Sequence, residues 1–378
     1  MAETEKGGSH IGYFDYLRLF AAFSVIFMHT AAELLRAQRN VQWELLNVCT
    51  ALAFTAVPLF LMMSGYLLLS SEKTADVTVL VKKRLPRLIV PLAAWTVIEI
   101  IRSLSALESL SLRTFLSALV GSFANPVAVH FWYMYLLIAL YAISPILYGG
   151  LKSLNRKGHL YILALIGLVL LQTMAAAVLP ARLGKLVAFD VIARLRLFSG
   201  NICAFLLGYY LGNMKRKVPN GLLAVSAVGL LAVITLGTRF LTLRNGAYTA
   251  TFLDQSGGFE VVLAACIFLL CKQNLGAKRG IRAVPVVPLF LPIYLMHGVL
   301  LAGMQVKGYF PQDFLDVMKF SVINLVVCFL VTKTAATIKP ICYLLTGMPY
   351  EKACQSCNWV YTYRRIRNWY NGRREAAK

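Results

Sequence analysis

Two side chains in the first apolar segment of the chain have types and a spacing that suit acid–base chemistry on an anionic substrate. Arg18 and His29 lie eleven residues apart, so an α-helix with 3.6 residues per turn places them on one face, about 16 Å apart along its axis. Guanidinium groups bind phosphates, and imidazole is the usual general base near neutral pH. The spacing therefore predicts one helix face with a cationic end and a proton-accepting end.

Further ionisable residues lie in or beside later apolar segments, where a charge is costly and marks a candidate site. His29 and His297 lie inside such segments, and Glu260 and His130 lie at the ends of two others. For His130 and His159 the alternative is ordinary hydrogen bonding at the membrane interface, and this alternative is favoured. His29 and His297 are therefore the histidines for which a functional role is predicted.

Two pairs of charged residues have both a functional and an ordinary interpretation. Asp15 and Arg18 are three residues apart, which also suits a self-neutralising pair on one helix turn. Arg84 and Arg87 repeat this spacing at the start of another apolar segment. They could hold phosphates as paired guanidinium groups, but flanking positive charge is the simpler explanation on composition alone.

The composition determines which elements must position these residues. The chain is 59% hydrophobic and 14% charged, whereas soluble domains contain about 25% charged residues. Lys and Arg outnumber Asp and Glu by 38 to 16, which would suit nucleic-acid binding if the excess formed a basic face. Charge-free windows such as 114–151 and 283–306 exceed the ~18 residues that indicate a membrane span. We therefore predict an all-α polytopic transmembrane helix bundle and no nucleic-acid partner.

Ten transmembrane helices of about 20 residues account for the apolar windows. Pro288 and Pro292 are expected to kink the ninth helix just before Tyr294 and His297. Loops on one side carry about twice as many Lys and Arg as loops on the other, so both termini are predicted to be cytoplasmic. The predicted spans are residues 12–32, 47–69, 87–106, 129–147, 160–178, 195–212, 222–240, 254–271, 285–304 and 320–339.

This topology separates the candidate residues by depth. Arg18, Arg84 and Arg87 fall near the cytoplasmic ends of their spans. The histidines of the first, fourth and ninth spans fall in the outer half of the membrane, and so does Glu260. Cationic groups thus face the cytoplasm, while groups that can handle protons lie toward the outside.

The cysteines and the C-terminal tail predict no further chemistry. Most of the eight cysteines lie in or beside apolar windows, so disulfide bridges are not expected. Cys354 and Cys357 have CxxC spacing but no second ligand pair nearby, so no metal site is predicted.

Residues 1–345 form the predicted transmembrane domain, whose first span is its own targeting signal. Residues 346–378 form a basic, aromatic cytoplasmic tail, predicted to lie as a helix on anionic lipid.

These residues fall into motifs that, in order, resemble those of the acyltransferase-3 family of integral-membrane O-acyltransferases. The spacing of Arg18 and His29 is similar to the family's Arg-x10-His pattern, and Arg84-Leu85-Pro86-Arg87 is similar to its Arg-x-x-Arg motif. The other matches are Pro58-Leu59-Phe60-Leu61-Met62-Met63-Ser64-Gly65-Tyr66, Phe131-Trp132-Tyr133 with Tyr141 and Pro145, and Ile293-Tyr294-Leu295-Met296-His297. The resemblance covers essentially the whole chain.

The resemblance implies that an acyl group, usually acetyl, passes from cytoplasmic acyl-CoA to a hydroxyl of an envelope glycan or lipid-linked sugar. Acyl-CoA would be a co-substrate rather than a permanently bound cofactor. By resemblance, His29 is the catalytic residue that handles the proton. Arg18, Arg84 and Arg87 would bind the donor. The residues predicted to line the pocket are Asp15, Ser64, Trp132, Tyr133, Tyr141, Glu260, Tyr294 and His297.

Several alternatives accompany this prediction. Ser64 could carry an acyl group, although a Ser-Gly step in a helix is more often a packing feature. The chain resembles stand-alone members that O-acetylate surface polysaccharides in the plasma or inner membrane, acting alone, as a homodimer or with a partner. A secondary exporter of an organic acid or lipid-linked sugar would also show intramembrane charges and a proline-broken helix. A glycosyltransferase would need paired acidic residues, which the apolar segments do not provide.

Overall fold

The computed structural model describes residues 11–37, 41–179, 200–276 and 287–376. Every regular element in this part of the chain is helical. The prediction of an all-α helix bundle is therefore confirmed. The predicted division into residues 1–345 and 346–378 remains a prediction.

The described helices are numbered α1 to α16 in chain order. The first half of the chain contains α1 Gly12–Ala37, α2 Val41–Phe54, α3 Ala56–Leu69, α4 Val77–Val79, α5 Pro86–Ala106, α6 Leu112–Gly121, α7 Trp132–Ser153 and α8 Arg156–Val178. The second half contains α9 Gly200–Asn213, α10 Asn220–Asn245, α11 Gly258–Leu275, α12 Phe290–Val306, α13 Phe314–Ala335, α14 Lys339–Thr346, α15 Tyr350–Ser356 and α16 Trp359–Ala376. Short 3-10 turns occupy Glu72–Thr74, Val129–Phe131 and Val287–Leu289, and Leu80–Arg84 is a π-helical turn.

Eight helical segments of the described chain are long and apolar enough to cross a membrane. They correspond to eight of the ten predicted spans, with α2 and α3 together forming the second. The predicted sixth and ninth spans correspond to the shorter helices α9 and α12, which have 14 and 17 described residues. Residues 195–199 of the sixth and 285–286 of the ninth lie outside the described residues. The chain is thus a multi-pass membrane protein.

The prolines of the ninth span act differently from the predicted kink. Pro288 lies in the 3-10 turn that precedes α12, and Pro292 is the third residue of that helix. A proline in the first helical turn removes an N–H group that has no partner within the helix. The prolines therefore define where α12 begins. Tyr294 and His297 follow on a regular helix, and the prediction of a kink before them is wrong.

Helix α1 lies at the centre of the bundle and carries the predicted catalytic residue. It packs against α2, α3, α11, α12 and α13. Its buried apolar residues belong to the largest hydrophobic cluster of the structure, together with those of α3, α7 and α9. A polar side chain on α1 therefore points either into a protein-lined interior or toward one of the helix ends.

Helices α3 and α9 approach so closely that their backbones touch. A Cβ atom added at Gly65 would lie 2.7 Å from the carbonyl carbon of Phe205, and one added at Gly208 would lie 2.5 Å from that of Met62. Small residues allow this kind of approach between membrane helices, where packing rather than hydrophobicity holds the helices together. The contact fixes α3, which carries Ser64, within the bundle.

Gly65→Ala is therefore expected to destabilise the protein by about 3 kcal/mol, the upper part of the range for overpacked cores, because backbone atoms cannot move aside as a side chain can. Thermal unfolding of the purified protein in detergent measures this change. Gly149→Ala is the matched control, since a Cβ atom there has no other atom within 4 Å. Equal midpoints for the two variants would contradict the close contact between α3 and α9.

Candidate active site

Three imidazole rings from three distant parts of the sequence meet inside the bundle. His29 lies on α1, His130 lies in the 3-10 turn before α7, and His297 lies on α12. The ring centroids of His130 and His297 are 4.4 Å apart, and that of His29 lies 5.4 Å from His297 and 6.1 Å from His130. His130 and His297 are buried, whereas His29 is only half-buried. His29 is therefore the most exposed of the three rings.

Backbone carbonyls set the tautomers of the two buried histidines. His130 Nε2 lies 3.2 Å from the carbonyl oxygen of Leu295, and His297 Nδ1 lies 2.5 Å from that of Tyr294. A carbonyl oxygen only accepts hydrogen bonds, so each of these nitrogens carries the proton. His130 Nδ1 and His297 Nε2 are then the unprotonated nitrogens. His297 Nε2 has no hydrogen-bond partner among the described residues, although it is buried.

Neighbouring side chains hold the two buried rings in place. The Tyr294 hydroxyl donates to the backbone oxygen of His130, and Asn324 Nδ2 donates to that of His297 at 3.0 Å. The Tyr294 ring also packs edge-on to the His130 ring, at 5.8 Å between centroids. Tyr294, predicted to line the pocket, thus contacts the imidazole cluster directly.

The three predicted donor-binding arginines surround one tyrosine. The phenol of Tyr141 interacts electrostatically with Arg18, Arg84 and Arg87. Arg84 Nη1 also donates to Thr74 Oγ1 at 2.7 Å, and the Arg18 guanidinium lies 5.6 Å from the centre of the Phe14 ring. Three positive charges, from α1, the π-helical turn Leu80–Arg84 and the start of α5, are therefore gathered at one end of the bundle. We call Arg18, Arg84, Arg87 and Tyr141 the arginine cluster.

A row of hydroxyl groups connects the imidazoles with the arginine cluster. The Tyr133 ring lies 5.5 Å from the Tyr294 ring, between centroids. The Tyr133 hydroxyl lies close to Ser64 and interacts electrostatically with Tyr141. Tyr141 follows Tyr133 by eight residues on α7, which is about 12 Å along the helix. The structure thus places Ser64, Tyr133, Tyr141 and Tyr294 in one row of polar side chains between the imidazoles and the arginine cluster.

The remaining predicted pocket residues do not contact the imidazoles. Asp15 is buried near the arginine cluster and interacts electrostatically with Arg18. Among the described residues, the Trp132 ring contacts the Tyr133 ring, and the two ring centroids are 6.3 Å apart. Glu260 is fully buried in the first turn of α11, and the charged neighbour with which it interacts is Asp254. Its two carboxylate oxygens have no hydrogen-bond partner among the described residues.

His130 is the residue that the sequence analysis undervalued. Its position at the outer end of the fourth span favoured an interfacial role, but the turn Val129–Phe131 folds inward, so that His130 and the fully buried Phe131 lie within the bundle. The aromatic residues that immediately follow His130 were the signal in the sequence that His130 is buried, because a run of aromatic side chains packs into protein. For His159, by contrast, the favoured ordinary role fits the structure, since its Nδ1 lies 3.1 Å from the Tyr210 hydroxyl.

An ionisable site inside an apolar helix bundle defines the class of protein: a multi-pass membrane protein with a cluster of buried imidazoles. Comparison with known families then names the family. The model of the acyltransferase-3 family, described as an acyltransferase domain, matches residues 11–333. The chain belongs to this family, as the motif resemblance predicted, and is a membrane acyltransferase. No curated protein and no solved structure matches the chain.

Proposed function

We propose that this protein moves an acyl group, most simply acetyl, from cytoplasmic acyl-CoA to a hydroxyl of an extracytoplasmic glycan or lipid-linked sugar of the cell envelope. It would do so in the plasma or inner membrane. The observation that supports this function best is the arrangement of three arginines around Tyr141 and three imidazoles in one bundle, with polar side chains between the two groups. Such an arrangement suits a reaction in which an anionic donor and a neutral hydroxyl acceptor arrive from opposite sides.

The arginine cluster is the proposed binding site for the donor. Coenzyme A carries phosphate groups at one end of a long, extended arm and the reactive thioester at the other. Paired guanidinium groups bind phosphates as planar forks. Because Arg18 and His29 are about 16 Å apart along α1, phosphates bound at the cluster leave the thioester arm free to extend toward the imidazoles.

His29 is the proposed general base. It takes the proton of the acceptor hydroxyl as the hydroxyl oxygen attacks the carbonyl carbon of the thioester. The carbon–sulfur bond then breaks, and His29 returns the proton to the departing thiolate. The products are an O-acyl ester and free coenzyme A. The His130 and His297 rings lie 6.1 and 5.4 Å from the His29 ring, between centroids, so they are the nearest groups that could share the proton during the reaction.

An acyl-enzyme is the alternative route for the same reaction. Ser64 would carry the acyl group after attack of its hydroxyl on the thioester. Its position close to the Tyr133 hydroxyl, between the arginine cluster and the imidazoles, supports this alternative. Rapid quenching with radiolabelled acetyl-CoA distinguishes the routes, because only the acyl-enzyme leaves label on the protein, and Ser64→Ala would then remove that label.

Release of coenzyme A thiol by the purified protein in sealed vesicles, with acetyl-CoA and a broad glycan extract, tests the proposed function. In this assay Arg84→Ala is expected to raise the KM for acetyl-CoA about tenfold or more, because hydrogen bonds to charged groups contribute about 1.5–3 kcal/mol. Lys83→Ala is the matched control, since Lys83 is an exposed basic residue of the same π-helical turn.

Two results would contradict this proposal. Wild-type protein that releases no coenzyme A with any fraction of the extract would not be an acyl-CoA-dependent transferase, and an exporter would then be favoured. Equal KM values for Arg84→Ala and Lys83→Ala would remove the arginine cluster from donor binding.

A further inference from the structure

A second contact joins α1 and α12 beyond the imidazoles. Gln305 Nε2 lies 3.4 Å from Glu33 Oε1, and this is a hydrogen bond in which the amide donates. Glu33 is exposed and Gln305 is half-buried. Neither residue belongs to the family motifs or to the proposed chemistry. The pair lies at the end of α1 opposite to the arginine cluster.

Helix geometry places this pair beyond the imidazoles, toward the ends of the same two helices. Glu33 follows His29 by four residues, so it lies on the same face of α1, about 6 Å farther along the axis. Gln305 follows His297 by eight residues on α12. The His29–His297 contact, 5.4 Å between ring centroids, and the Glu33–Gln305 hydrogen bond therefore join the same two helices, one contact above the other.

The chemistry of the pair suits a ligand rich in hydroxyl groups. A carboxylate accepts hydrogen bonds from hydroxyls, and a primary amide both donates and accepts. At 3.4 Å the hydrogen bond between them is long and weak, so a ligand that replaces it loses little. The negative charge of Glu33 would repel a carboxylated ligand at the same place.

We propose that Glu33 and Gln305 form the acceptor subsite of the enzyme, which binds the sugar next to the reacting hydroxyl and selects uncharged glycans over uronate-containing ones. The inference rests on the proposed function, because it places the reacting hydroxyl at His29. His29 and Glu33 are separated by about one helical turn, or about 6 Å along α1, which matches the width of one sugar ring. When the reacting hydroxyl of one sugar lies at His29, the next sugar of the glycan therefore lies beside Glu33.

Equilibrium binding of a panel of neutral and uronate-containing trisaccharides to the full-length protein, purified in detergent, tests the subsite without a donor. We expect wild-type protein to bind neutral members at least about tenfold more tightly than uronate counterparts. Glu33→Gln is expected to abolish that preference, and Gln305→Ala to weaken binding of all members. Glu44→Gln is the matched control: Glu44 is also exposed and lies on α2, paired with Arg239 at 2.6 Å.

The outcomes separate the subsite from the proposed function. Loss of the preference in Glu33→Gln but not in Glu44→Gln supports the subsite, even where the wild type transfers no acetyl group and the proposed function fails. Two results would overturn the proposed subsite, even where acetyl transfer succeeds. In one, wild-type protein binds no member of the panel. In the other, Glu33→Gln keeps the preference for neutral members. The KM for acetyl-CoA should stay at the wild-type value in Glu33→Gln, which a general structural defect would not allow.

Discussion

His29→Ala is expected to lower kcat for acyl transfer by about 10²–10⁴-fold, the range that a positioned general base contributes. The reason is geometric: His29 is the only half-buried ring in a cluster whose other two imidazoles are buried and held by backbone carbonyls. A substrate hydroxyl therefore meets His29 first. Stability should change little, because the removed ring is partly exposed already. Coenzyme A release at saturating acetyl-CoA measures kcat, and thermal unfolding measures stability.

His159→Ala is the matched control for this prediction. His159 pairs with Tyr210 and lies at the start of α8, away from the three imidazoles. We expect it to keep wild-type kcat. If His29→Ala retained kcat within a few-fold of the wild type, the base would have to be another group, and the buried rings of His130 and His297 would be the next candidates.

Gly298→Ala is expected to lower kcat by about 10²-fold while the protein remains folded. A Cβ atom at Gly298 would lie 2.6 Å from Nδ1 and 3.1 Å from Nε2 of His130. His130 is buried and its Nε2 is bound to Leu295, so the ring must shift away from His297. A misplacement of about 1 Å in a catalytic cluster can reduce the rate 10²-fold.

Gly303→Ala, on the same helix α12, provides the comparison because an added Cβ atom there has no other atom within 4 Å. Both variants are to be assayed for kcat and for their thermal midpoint. A Gly298→Ala protein with wild-type kcat would mean that the His130 ring has no part in the reaction. A large fall in the midpoint for Gly298→Ala alone would mean that the added methyl group disturbs packing rather than catalysis.

The spans could be predicted from sequence because a bilayer imposes one strong condition: the backbone must be helical and the side chains apolar over about 20 residues. A window without charged residues meets this condition, so it can be recognised directly in the sequence. The kink at Pro292 was predicted wrongly because hydropathy does not indicate where a helix begins. A proline interrupts the interior of a helix, but it is readily accommodated in the first turn.

The meeting of the three histidines could not be predicted from spacing alone. The eleven-residue interval between Arg18 and His29 is a property of one helix, so it follows from the helical repeat. The contact between His130 and His297 depends instead on an inward-folded turn and on how α7 and α12 pack. Glu33 and Gln305 gave no signal at all, because each resembles an ordinary residue at a helix end until the two helices are brought together.

The distribution of the imidazoles along the chain has a consequence for how the protein is made. His29 belongs to the first span, His130 to the start of the fourth and His297 to the ninth. Spans enter the membrane in the order of their synthesis, so the cluster can form only when most of the chain has been inserted. A nascent chain that stops before α12 would hold the arginine cluster but lack His297. Its proposed phosphate-binding end would exist before the complete imidazole cluster.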